Sequence, residues 1–203
     1  MAEQPINARK HGFCSLKIGV VQLKALVVYG TRWGGTTDVA QAIGKALREE
    51  GIDVEVADAK NPPQNIDGFD LFVVGSGLRA DKWTKESIAF IENNLPALKT
   101  KKLALYVSCS MADRKDEGYE VGKKRYLDST AEKYGLTPLS MGYFGGLMDF
   151  SYSHGLLVDI IVRVNRRNLR KNGLDTAKVH DTRDWKAIDA WGHEVAKLVL
   201  TNH

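Results

Sequence analysis

Residues 31–37 read Thr31-Arg32-Trp33-Gly34-Gly35-Thr36-Thr37. Gly34 and Gly35 let the backbone come close to a ligand. Thr31, Thr36 and Thr37 offer hydroxyl donors. A helix beginning here adds unpaired N–H groups and the positive end of its dipole. This combination suits a phosphate dianion and needs little help from a basic side chain. Other phosphate chemistries match poorly. The Gly-Lys-Ser/Thr of a Walker loop and the G-x-G-x-x-G of a dinucleotide site are both absent. The loop has neither the cysteine nucleophile of a low-molecular-weight phosphatase nor the aspartate of a receiver domain. The plainer alternative is a Gly/Thr-rich turn that only caps a helix.

Two further segments carry small and polar residues directly after apolar runs: Gly75-Ser76-Gly77-Leu78-Arg79-Ala80-Asp81-Lys82-Trp83 and Ser108-Cys109-Ser110-Met111. Trp83 offers an aromatic face to a flat conjugated ring, or else packs on the following helix as a hydrophobic staple. Cys109 has only Arg114 and Lys115 nearby in sequence to depress its pKa, which favours a small buried residue over a redox thiol. His154 titrates near neutrality, but a lone histidine earns no catalytic assignment.

These segments need a frame to position them. Lys24–Gly30, Ile52–Ala57, Asp70–Ser76, Lys102–Ser108 and Pro138–Phe144 are short apolar runs that read as strands. Between and after them, Thr36–Glu50, Lys85–Asn94, Glu120–Tyr134 and Asp184–Leu200 carry helical periodicity. Near-continuous apolar strands alternating with helices predict an α/β fold whose parallel sheet is covered on both faces. In such sheets ligands sit beyond the carboxyl ends of the strands, where strand order reverses. All three segments above fall there.

Between the fifth strand and the last helix, about 145–183, the chain is too long for a structureless loop. Gly155–Lys171 reads as an extra helix. Its apolar residues are followed by Arg163, Arg166, Arg167, Arg170 and Lys171, five cations against Asp159 between 159 and 171. A basic amphipathic helix suits an anionic membrane surface or an acidic ligand. The bland alternatives are a solvated face or a homodimer contact. Tyr143, Phe144, Phe150, Tyr152 and His154 precede it and could wall a flat substrate, although aromatic core is the commoner use.

The 203 residues suit one domain, and a net charge of +4 does not by itself suggest nucleic acid. Residues 1–23 read as a poorly ordered extension rather than a signal peptide, since Lys17 and Gln22 break their apolar stretch. Cys14 and Cys109 make neither a disulfide framework nor a metal site, so no metal is expected and a reducing cytoplasm is the default compartment.

Tyr29-Gly30-Thr31-x-x-Gly34-Gly35-Thr36 resembles the flavodoxin phosphate loop. The segment ending in Asp184-Trp185 resembles the branch that includes the menaquinone-dependent protoporphyrinogen dehydrogenases. The resemblance covers roughly Lys24 to the C-terminus. It implies a flavodoxin-like three-layer sandwich with strand order 2-1-3-4-5 and FMN as cofactor. It further implies that the FMN phosphate lies on Thr31, Arg32, Gly34, Gly35, Thr36 and Thr37. Ser76, Gly77, Leu78 and Arg79 then touch one side of the flavin ring, with Trp83 a candidate to stack on it. Ser108, Cys109, Ser110 and Met111 approach the other side. Arg163, Arg166, Arg167 and Arg170 would meet porphyrinogen propionates or an anionic membrane, with a quinone accepting electrons at the inner face of the cell membrane. An electron carrier between protein partners and an NAD(P)H:quinone reductase are the alternative functions.

Overall fold

The computed structural model describes residues 22–32, 34–109, 112, 117–149, 160, 163–164, 170–171 and 179–201. Strands β1 (Lys24–Gly30), β2 (Asp53–Asp58), β3 (Leu71–Arg79), β5 (Lys102–Ser108) and β6 (Ser140–Phe144) pair in parallel in the order β2-β1-β3-β5-β6. This is the expected 2-1-3-4-5 arrangement with its reversal between β1 and β3. Successive residues of β1 serve opposite faces. Ala25 and Val27 join one core and Leu26 and Val28 the other, all fully buried. This is why the strand reads as a continuous apolar run.

Helix α1 (Gly35–Glu49) and the last helix, α6 (Trp185–Thr201), cover the first face with Val39, Ile43, Leu47, Ile188, Trp191 and Val195. They meet closely where a Cβ added to Gly192 would stand 2.6 Å from the Ala46 Cβ. Asp184 starts α6 by accepting the Ala187 N–H at 3.1 Å. The second face is covered by α2 (Lys85–Asn93), α3 (Leu95–Thr100), α4 (Glu117–Lys123) and α5 (Ser129–Tyr134), the last two joined by a π turn over Lys124–Asp128. Burying side chains such as Phe90, Ile91, Leu98 and Leu127 contributes about 1.5–3 kcal/mol each.

Three features depart from the expectation. Leu23, assigned to the extension, is buried in the first core, while residues 1–21 lie outside the described residues. A short strand β4 (Lys82–Trp83) folds back antiparallel on β3, pairing Leu78 with Trp83 and Arg79 with Lys82. The segment expected to be helical is bounded by strands: β7 (Leu147–Asp149) and β8 (Val179–Asp181) pair antiparallel as a separate ladder. Within it, Ile160, Arg163, Val164, Arg170 and Lys171 are helical and exposed. The expected aromatic wall at Phe150, Tyr152 and His154 lies outside the described residues. No helix among the described residues is long and apolar enough to cross a membrane.

One buried polar group is unsatisfied. The Tyr106 hydroxyl has no hydrogen-bond partner among the described residues, and burial pushes its pKa well up. An orphaned buried hydroxyl costs about 1–3 kcal/mol. Tyr106→Phe should therefore raise stability by about 1 kcal/mol in urea unfolding; a loss of stability would mean that the hydroxyl has a partner.

Candidate cofactor site

The loop after β1 is shaped by its own residues. Gly34 adopts φ 86°, where an L side chain is strained, and a Cβ there would meet nothing within 4 Å. Its N–H donates to Thr31 Oγ1 at 3.0 Å, and its carbonyl accepts the Thr37 N–H at 2.9 Å. Among the described residues no side chain caps the start of α1. The first-turn N–H groups thus emerge beside an open left-handed glycine, a donor set that fits a phosphate dianion. Thr36 is only 4% exposed. A Cβ on Gly77 would lie 2.7 Å from Thr36 Oγ1, so this side chain bridges the ends of β1 and β3. Thr37 is half-buried and Arg32 exposed, while Trp33 lies outside the described residues.

The expected ring-side residues divide. Gly77 and Leu78 are half-buried at the end of β3, but Ser76 is turned inward. Its hydroxyl donates to the Gly77 carbonyl at 2.7 Å and accepts the Thr84 N–H at 2.9 Å. Thr84 and Ser87 continue this chain to the Gly75 carbonyl. Trp83 is also committed to the core: its Nε1–H donates to the Tyr126 carbonyl at 2.8 Å. Of the two uses weighed for Trp83, packing is the one this geometry serves. Arg79 ends β3 just before Ala80 and Asp81, both non-glycine residues at positive φ (47° and 60°). Asp81 is held there by Arg125 and the Tyr126 hydroxyl, each at 3.0 Å. The turn therefore stores backbone strain next to the candidate ring site.

On the other side, the Ser108 hydroxyl donates to the Gly145 carbonyl at 2.8 Å, and the Cys109 N–H donates to the Phe144 carbonyl. The Cys109 thiol donates to the Tyr143 hydroxyl at 3.3 Å. Burial, followed by this bond, pushes the Tyr143 phenol far above its ordinary pKa, so Tyr143 stays neutral. Cys109 is thus tied to a neutral tyrosine, the setting of a packing residue. Ser110, Met111, Arg166 and Arg167 lie outside the described residues.

A cavity of about 560 Å³ opens beside these loops, lined by Thr31, Arg32, Lys60, Lys82, Trp83 and Lys85 among others. Four of its lining residues, Arg32, Lys60, Lys82 and Lys85, are basic, and one, Glu86, is acidic. Glu49, Asp189 and His193 come within metal-ligand spacing of one another, but at the opposite end of α1. There Lys45 pairs with Glu49 and Glu50 meets His193 Nδ1 at 2.8 Å.

No motif in the sequence marks Arg183. Its guanidinium, 6% exposed, grips both oxygens of Asp181 (2.8 and 2.7 Å) and reaches the Gly35 carbonyl (3.0 Å) and Asp38 (2.9 Å) at the start of α1. It also lies over the Trp185 ring at 4.4 Å. The guanidinium holds the Asp181 carboxyl below its usual pKa. Asp181 therefore contributes fully above the ordinary carboxylate range, and that contribution is lost only as pH falls through the lowered value.

A doubly wound sheet with an open, glycine-bearing first loop at its reversal point defines a class of small α/β cofactor proteins. The Flavodoxin domain family matches residues 26–165, more than half of the chain, and the chain belongs to that family. Flavodoxins of the family bind FMN. The structure is similar to a flavodoxin from the domain Archaea (17% identity, TM-score 0.52, covering 88% of this chain and 99% of that one). It is also similar to the Streptococcus pneumonia TIGR4 flavodoxin (16% identity, TM-score 0.51, 89% and 99%). The Flv1 flavodiiron core of Synechocystis sp. PCC6803 matches at 15% identity and TM-score 0.54, with 89% of this chain covering 37% of that one. At these identities the likeness is one of fold.

Proposed function

We propose that this protein is an FMN-dependent oxidoreductase of flavodoxin type. The observation that carries the reading is the uncapped start of α1 beside Gly34, where N–H groups converge with no side chain to receive them. The Gly35 and Thr36 amides and the Thr37 hydroxyl hold the phosphate, while Thr31 fixes the turn by accepting the Gly34 N–H. Gly77, Leu78 and Arg79 border one side of the ring and the backbone at Cys109 the other. Bound FMN supplies one- and two-electron redox chemistry, and the surrounding N–H groups tune its potential.

For the substrate, we propose a porphyrinogen, with a quinone as acceptor and docking at an anionic membrane surface. This rests on the exposed Ile160 and Val164 beside Arg163, Arg170 and Lys171. Arginine forks pair well with propionates, and an apolar and basic surface suits the membrane. A carrier role between redox protein partners is the competing reading.

The test is the visible spectrum of the purified protein, followed by anaerobic protoporphyrinogen. The expected result is a yellow protein that bleaches with porphyrinogen and reoxidises with menaquinone. Reversing Arg163 and Arg170 to Glu should slow bleaching and leave the flavin bound. A yellow protein that ignores porphyrinogen and exchanges electrons with a ferredoxin reductase is a carrier. A colourless protein that cannot be reconstituted with FMN sinks the cofactor assignment.

A further inference from the structure

The segment between β6 and α6 touches both candidate cofactor loops. Gly145 accepts the Ser108 hydroxyl at the end of β5. The Gly146 N–H donates to Thr182 Oγ1, and the Thr182 N–H returns to the Gly146 carbonyl, both at 3.1 Å. Leu147 packs on the phosphate loop so closely that a Cβ on Gly35 would be 2.9 Å from its own. Arg183 completes the path by binding Asp181, Asp38 and the Gly35 carbonyl.

We propose that Arg183 is a positioning residue for the phosphate loop, tying the β7–β8 ladder to the first turn of α1 and thereby setting the affinity for FMN. The proposal rests on the FMN reading above. Arg183 acts through the loop and not as a ligand, because Nε, Nη1 and Nη2 are all engaged by protein acceptors. Its burial and bidentate geometry set it apart from an exposed ion pair, which contributes little. Charge balance gives the mechanism. Asp38 stands in the first turn of α1 and Asp181 at the end of β8, so two carboxylates approach the place proposed for a dianion. The guanidinium compensates them and fastens the Gly35 carbonyl at the start of α1. Without it, Asp38 repels the phosphate and the turn loses a fastening.

The same connection couples the long segment to cofactor binding. Whatever shifts the ladder shifts the loop, and the coupling is reciprocal.

The experiment is a fluorescence titration of the apoprotein with FMN, alongside its thermal melt, for the full chain and for Arg183→Ala, Arg183→Lys and the double variant Arg183→Ala/Asp38→Asn. Arg183→Ala should raise Kd by about tenfold or more at a temperature where the apoprotein is still folded. Asp38→Asn in that background should recover a large part of the affinity, because it removes the uncompensated charge. Arg183→Lys keeps the charge but loses the fork, and should fall between. If Arg183→Ala does not fold, Arg183→Lys carries the test by its smaller rise in Kd, expected above the twofold limit. A Kd within about twofold of the unaltered chain in a folded variant, with only the melting temperature lowered, overturns the proposal and leaves a structural ion pair. Failure of the unaltered chain to bind FMN overturns the cofactor reading itself, a result distinct from equal affinities.

Discussion

Replacing Thr31 and Thr36 together by Ala strips the protein of FMN at purification. The two side chains do different work. Thr31 Oγ1 accepts the Gly34 N–H at 3.0 Å and so holds the turn that leaves the start of α1 open. Thr36 is buried between the phosphate loop and Gly77, at the gap between β1 and β3. Without them the loop misplaces the Gly35 and Thr36 amides; hydrogen bonds to charged groups contribute about 1.5–3 kcal/mol each, so disturbing two weakens binding by roughly 3–6 kcal/mol. Each 1.4 kcal/mol is about tenfold in Kd, which carries affinity from tight to negligible during dilution and chromatography. The flavin-to-protein absorbance ratio measures this directly, and a circular dichroism melt checks that the variant folds. Stoichiometric flavin in the folded double variant would remove the phosphate from this loop.

Gly75→Ala should be the most damaging small substitution in the sheet, costing about 3 kcal/mol, at the top of the usual range for overpacking. Gly75 pairs with Tyr29 on one side and Tyr106 on the other. A Cβ there would fall on the Tyr106 ring, far inside van der Waals distance. The ring has nowhere to go. It is fully buried, 6.3 Å from the Phe144 ring and 6.2 Å from that of Trp191. Domains of this kind have only about 5–15 kcal/mol in total, so the midpoint of urea unfolding moves visibly. In a Tyr106→Leu background the same change should cost much less, since the clash partner is gone, and the two effects should fail to add. An equal cost in both backgrounds would show that Gly75 is needed for its backbone freedom and not for the space above it.

Much of this architecture was legible because its determinants are local. The apolar run from Lys24 to Gly30, the helical spacing of Val39, Ile43 and Leu47, and the glycines at 34 and 35 each act within a few residues. The first loop rests on such signals, whereas the sheet order was implied by the family resemblance. The extra segment was recognisable by its length alone, since no compact domain leaves so long a stretch without structure. The strands that bound it were not. Three residues each at 147–149 and 179–181, far apart in sequence, have no periodicity to read.

What only the tertiary structure decided depends on partners distant in sequence. The turn at Ala80 and Asp81 lacks the Gly or Asn usual at positive φ, and Asp81 is held from another layer by Arg125 and Tyr126. Trp83 is anchored by the Tyr126 carbonyl within the π turn, which no sequence pattern around Trp83 announces. The family resemblance implied a ring contact for Ser76, yet packing turned its hydroxyl toward Thr84 and Gly77. Nothing beside Arg183 in the chain marks it, since its contacts with Asp38 and Gly35 lie 145 and 148 residues earlier. The five parallel strands, the main helices and the open first loop were legible in the sequence, because hydrophobic period and glycine placement are properties of neighbouring residues. The fold decided which polar side chains face the cofactor site and which are spent holding its loops, because that choice is made by hydrogen-bond partners the chain brings together only on folding.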